Sequence, residues 1–165
     1  MTIHRLGLIA AMIFALSASS SIASTTSQGT IYTSMTGDET AAFLEGEGLT
    51  LTRKTAEDGR PIHVFELNGV RTSLYHYSCS TSGECKALQI YIGLSMTNKP
   101  SQEKINEWNR GKRFARAYLD SVGDPCLEID LDLEGGVSAG AVKELIRTSR
   151  ISSQVFMEHV GFQLK

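Results

Sequence analysis

Four cations stand within seven residues at Arg110, Lys112, Arg113 and Arg116. A cluster of that density could hold an anion: a phosphate, an anionic lipid headgroup or an acidic partner segment. A solvated helix end accounts for it equally, because cations suit the negative pole of a helix, and the sequence favours that plainer reading. Asp120, Asp124, Glu128, Asp130 and Asp132 follow closely and can neutralise much of the charge. Among these acids, Glu128, Asp130 and Asp132 alternate along one strand face. Same-face neighbours on a strand stand about 7 Å apart, too far to share one calcium ion without loop ligands. They are expected to face solvent or to pair with Lys and Arg. His76, Cys79 and Cys85 offer three zinc ligands where a structural site takes four. No Gly-x-Ser-x-Gly elbow occurs. The alternating acids show no sign of the flanked cleft that glycoside hydrolysis needs. The chain is therefore read as non-enzymatic, with no catalytic residue, no metal site and no cofactor. Arg110, Lys112, Arg113 and Arg116 remain its candidate binding patch.

The length of 165 residues suits one domain behind a leader. His4 and Arg5 form a short basic start, and the apolar run Leu6 to Leu16 is shorter than the ~20 residues that span a bilayer. Ser21-Ile22-Ala23 puts small residues at −3 and −1, so residues 1–23 are expected to be a signal peptide cleaved after Ala23. The expected location is periplasmic or secreted, with no stable membrane insertion after cleavage. The formal charge of −2, and −3 once Arg5 is lost, excludes bulk nucleic-acid affinity, which rests on many cationic phosphate contacts. Export also changes the cysteine reading. Cys79 and Cys85, six apart, can close a disulfide loop in an oxidising compartment, leaving Cys126 as a small buried apolar residue.

The elements that position these residues follow from local pattern. Residues 24–35, rich in Ser and Thr, read as a flexible tail, and residues 36–165 as the domain. Thr36 with Glu39 forms a capping box for a short helix that Gly46 and Gly48 end. Leu49 to Arg53 alternates as a strand. Ile62 to Leu67 and Val70 to Tyr77 flank Asn68-Gly69, a strong hairpin signal. Lys86 to Leu94 is a fourth strand, with Leu88, Ile90, Ile92 and Leu94 on one face. Ser101 caps a helix whose stripe holds Ile105, Trp108 and Lys112; the lone Trp is expected in the core rather than at a binding hot spot. Phe114 to Leu119 and Cys126 to Leu133 are the last strands. Ser138 caps a final helix with Val142, Leu145, Ile146, Ser149 and Ser153 on one face, extended by Phe156, Val160 and Leu164. The order α-β-β-β-β-α-β-β-α predicts an α+β fold, a mostly antiparallel sheet with packed helices.

Three stretches resemble the YbjN family, described as bacterial sensory-transduction regulators. They are Phe43-Leu44-Glu45-Gly46-Glu47-Gly48, Gly83-Glu84-Cys85-Lys86-Ala87-Leu88-Gln89, and a third set. That set joins Ile105-Asn106-Glu107-Trp108-Asn109, Arg113-Phe114-Ala115-Arg116-Ala117-Tyr118 and Glu134-Gly135-Gly136-Val137. The resemblance implies a domain similar in architecture to type III secretion chaperones, and protein binding or regulation rather than catalysis. It implies an unidentified protein partner, and by analogy a homodimer. It carries over no catalytic residues. A periplasmic protein that binds a small ligand or anion through the basic cluster is the second reading.

Overall fold

The computed structural model describes residues 29–164. The leader expected at residues 1–23 and the first part of the expected tail lie outside them. The elements run β1 Ile31–Tyr32, α1 Gly37–Gly46, β2 Thr52–Thr55, β3 Pro61–Leu67, β4 Val70–Cys79 and β5 Cys85–Gly93. They continue through α2 Gln102–Gly111, β6 Arg116–Leu119, β7 Pro125–Asp132, β8 Val137–Ser138 and α3 Ala139–Val160. Six strands form one sheet in the order β2-β3-β4-β5-β7-β6, and β1 pairs with β8 in a separate two-stranded ribbon. Every pairing is antiparallel. The α+β class holds, with two short strands added to the expected order.

Local chemistry explains most boundaries. Thr36 Oγ1 accepts from Glu39 N at 3.2 Å, and Glu39 Oε2 accepts from Thr36 N at 2.8 Å, which satisfies two free donors at the start of α1. Ser101 and Ser138 accept from Lys104 N and Ala141 N, each at 3.2 Å. Asn68 and Gly69, at φ 53° and 77°, make the left-handed two-residue turn between β3 and β4. Gly161, at φ 73°, stops α3, and Phe162 N reaches back to Met157 O at 2.8 Å. Leu164 therefore lies beyond the helix it was expected to extend; it is 55% exposed and packs at the Gly69 turn.

Alternation decides the layers. Phe65 and Leu67, Leu74, Leu88, Ile90 and Ile129 point to one face and are buried under the helices. Trp108 of α2 meets Phe156 of α3 edge-on at 5.0 Å and is 2% exposed, so it is a core residue. Four details differ from the sequence reading. Residues 31–35, read as flexible tail, include β1 and the fully buried Met35, whose backbone exchanges hydrogen bonds with Cys85 at 2.9 and 3.0 Å. Local composition cannot reveal a strap paid no attention by its own neighbours but paired with distant strands. The first sheet strand is Thr52–Thr55, not Leu49–Arg53, because pairing with β3 begins only at Thr52↔Val64. The strand expected from Phe114 starts at Arg116 instead. Glu128 pairs with Arg116, one of the two outcomes expected of it, yet it is 7% exposed rather than open to solvent, because neighbouring strands on both sides bring Tyr91, Arg116 and Tyr118 over it.

Candidate recognition surface

Among the described residues, no helix lies on the second face of the six-stranded sheet. The register lays its side chains out in rows. One row runs Val64, Ser73, Tyr91, Glu128, Arg116 across β3, β4, β5, β7 and β6. Beside it run Ile62, Tyr75, Gln89 and Asp130. Tyr77 and Tyr118 flank these rows, so four of the chain's five tyrosines stand on this face. The alternation that buries Leu74, Leu88 and Ile90 on one side sends Tyr75, Tyr77 and Tyr91 to the other.

The rings are held rather than loose. Tyr75 and Tyr91 meet edge-on at 6.0 Å. Tyr77 donates to Gln89 Oε1 at 3.1 Å, and Gln89 Nε2 donates to Asp130 Oδ1 at 2.7 Å. Tyr118 donates to Glu128 Oε1 at 2.9 Å. The Tyr91 hydroxyl stands 3.2 Å from Cys126 Sγ, and the Arg60 guanidinium lies 4.7 Å over the Tyr77 ring. Burial pushes the Tyr91 and Tyr118 hydroxyls above the usual tyrosine range, so both are neutral donors at physiological pH. Burial also pushes the Cys126 thiol up, which leaves it protonated and a poor nucleophile. Half-exposed aromatic rings at the centre and Lys54, Arg71, Asp130 and Asp132 at the edges reproduce the aromatic core and polar rim of protein interfaces.

The structure disperses the basic cluster. Arg110 pairs with Glu103 at 2.6 Å on α2, and Arg116 forms an ion pair with the buried Glu128 on the sheet. Lys112 lies 6.0 Å over the Trp108 ring, and Arg113 stands 5.3 Å from the Phe114 ring in the turn after α2. The four cations do not converge on one anion pocket. Asp132 accepts from Glu134 N at 2.8 Å, and Asp130 takes the Gln89 amide, so each of these carboxylates is engaged locally. Cys79 and Cys85 are joined in a disulfide, and Cys126 is free and buried. Among the described residues no group of three His, Cys, Asp or Glu side chains is placed to hold a metal ion.

One pair escaped the sequence reading. His63 and His76 lie beneath α1 with ring centroids 5.2 Å apart, and are 2% and 0% exposed. His76 Nδ1 meets Pro61 O at 2.9 Å, and Nε2 meets Thr40 Oγ1 at 3.0 Å. Among the described residues the Nδ1 of His63 finds no partner. Burial lowers both pKa values, that of His76 to about 4. The sequence does place His63 on the same side of its strand as Phe65 and Leu67. Its meeting with His76 depends on the β3–β4 register and on α1 lying across both. On the uncovered face the Tyr77 and Tyr118 hydroxyls, Gln89, Glu128 and Asp130 are paired with one another or with Arg116, while Lys54 and Arg71 make no ion pair among the described residues.

No curated protein and no solved structure gives a significant match to the chain. A family model does match, over residues 36–162, which takes in every element from α1 to α3. The chain belongs to the YbjN family, known by the description "Putative bacterial sensory transduction regulator".

Proposed function

We propose that this protein is an exported, non-catalytic recognition domain that exerts a regulatory effect by binding another protein on its uncovered sheet face. The observation that carries this reading is the concentration of four of the five tyrosines on that face, with their hydroxyls or rings fixed by neighbours. Tyrosine offers large contact area with little rotamer entropy to lose, and a polar tip that tolerates water before the partner arrives. Pre-organised rings lower the ordering cost of association. The same face suits chaperone-like handling of an extended client segment, and a second copy of the chain is the other protein that could cover it.

Site-specific photocrosslinking tests this in cells. A photoreactive residue replacing Tyr75 or Tyr77 is expected to yield discrete protein adducts. The same group at Lys143 or Glu158, on exposed positions of α3, is expected to yield few. Adducts of twice the chain mass would assign the face to a homodimer. Equal labelling from both sides of the molecule would sink the proposal. Export is checked separately by the intact mass of the protein recovered outside the cytoplasm, which is expected to begin at Ser24.

A further inference from the structure

The turn between α2 and β6 combines exposure, charge and strain in three consecutive residues. Phe114 is 73% exposed, the largest exposure among the big apolar side chains described, and its backbone sits at φ 72°. A left-handed backbone is strained for a residue that carries a side chain, and an exposed ring gains nothing from burial in return. The turn is nevertheless held in place. Lys112 N donates to Trp108 O at 2.8 Å, and the Trp108 indole donates to Ala115 O at 3.0 Å. Asn109 then both accepts from Ala117 N and donates to Ala117 O, at 2.9 Å each. These bonds fix the chain on either side and leave Lys112, Arg113 and Phe114 projecting. Arg110 and Arg116 have carboxylate partners; among the described residues Lys112 and Arg113 make no ion pair.

We propose that this projecting turn docks the domain peripherally on an anionic lipid bilayer, with the Phe114 ring at headgroup depth and Lys112 and Arg113 on lipid phosphates. A projecting ring needs a matching pocket on a protein partner, whereas the bilayer interface accepts an aromatic ring anywhere along its surface. The Arg113 guanidinium, 5.3 Å from the ring, cannot stay clear of the phosphate layer when the ring enters it. Charge also orients the molecule. The chain carries a net −2, so an anionic surface repels most of it and attracts the unpaired cations of the turn. No helix among the described residues is long and apolar enough to cross a membrane, so the attachment is superficial.

The test uses the protein in the form recovered from its host, with Phe114→Trp as a local reporter. Trp108 is 2% exposed and shielded from the bromines, so its emission is a constant background. On vesicles of phosphatidylglycerol and phosphatidylethanolamine with brominated acyl chains, the Trp at 114 is expected to be quenched. On pure phosphatidylcholine vesicles it is expected to remain bright. Lys112→Ala or Arg113→Ala is expected to weaken partitioning roughly fivefold each, and Phe114→Gly roughly tenfold. Phe114→Gly relaxes the left-handed backbone, so loss of binding in that variant cannot be assigned to unfolding. Absence of quenching on anionic vesicles, or equal quenching on both lipids, overturns the proposal. So does a photoreactive residue at 114 that labels an acidic protein and no lipid.

Discussion

At the scale of single residues, His76 shows how burial and wiring combine. Its Nδ1 faces a carbonyl, so that nitrogen carries the proton, and Nε2 accepts from the Thr40 hydroxyl. The same hydroxyl lies 2.9 Å from Thr36 O. A second proton on His76 would turn the Thr40 hydroxyl towards Thr36 with every bond kept. The penalty for protonation is therefore the charge itself, buried against His63, whose own pKa is lowered first by burial and then by Arg53. Asp38 and Glu45 act on His63 in the opposite sense. The folded pKa of His76 lies below its unfolded value, so the unfolded chain binds more protons between the two. Its contribution to stability is complete above about pH 6.5 and is lost as pH falls through about 4. Urea unfolding at pH 4.5 and 7 is expected to differ by about 2 kcal/mol from this group. His76→Gln, which cannot titrate, should flatten that dependence, and an unchanged slope would refute the account. Phe114→Gly belongs at the same scale: relief of its backbone is expected to stabilise the fold by ~0.5–1 kcal/mol in thermal or urea unfolding.

At the scale of elements, α2 and β6 behave as one unit because Asn109 serves as a side-chain strand. It occupies both backbone groups of Ala117 on the side of β6 away from β7, which closes that sheet edge to another chain. Asn109→Ala is expected to cost about 1–2 kcal/mol and to speed hydrogen exchange at the Ala117 amide. Asn109→Asp, which keeps the acceptor and loses the donor, should fall between. The β4–β5 connection is closed by the Cys79–Cys85 bond, and Cys85 also pairs with Met35 of the N-terminal strap. Opening a loop this short by reduction is expected to lower stability by about 2 kcal/mol. Thiol titration in denaturant without reductant should find one free group, Cys126. Three free groups would rule out the bond.

At the scale of the whole molecule, the sheet is a partition. Among the described residues three helices cover one face over a continuous apolar core, and the other face keeps its aromatic residues half-exposed. Tyr75→Ala and Tyr91→Ala are expected to weaken partner crosslinking about tenfold, by the measure of aromatic hot spots, with a modest fall in melting temperature. A loss of crosslinking that tracks loss of fold, with no effect from the milder Tyr75→Phe, would make these residues structural only. Local pattern specifies the elements, through period-two alternation in β3, β5 and β7, through the Ser and Thr caps, and through the Asn68-Gly69 turn. It also specifies the family and the buried role of Trp108, since these signals are written in neighbouring residues. Which residues meet across the chain follows from how the strands pair and the helices pack. Glu128 is read locally as one more outward acid, and becomes a buried ion-pair partner because β6 and β5 flank β7. The basic cluster is read locally as one patch, and separates because a helix, a turn and a strand each point its members differently. His63 and His76 meet only through strand register, and four tyrosines scattered over 44 residues become one surface only when four strands lie side by side. Proximity along the chain reports local backbone preference. Proximity in space depends on pairing order, which local signals encode only across tight hairpins such as Asn68-Gly69.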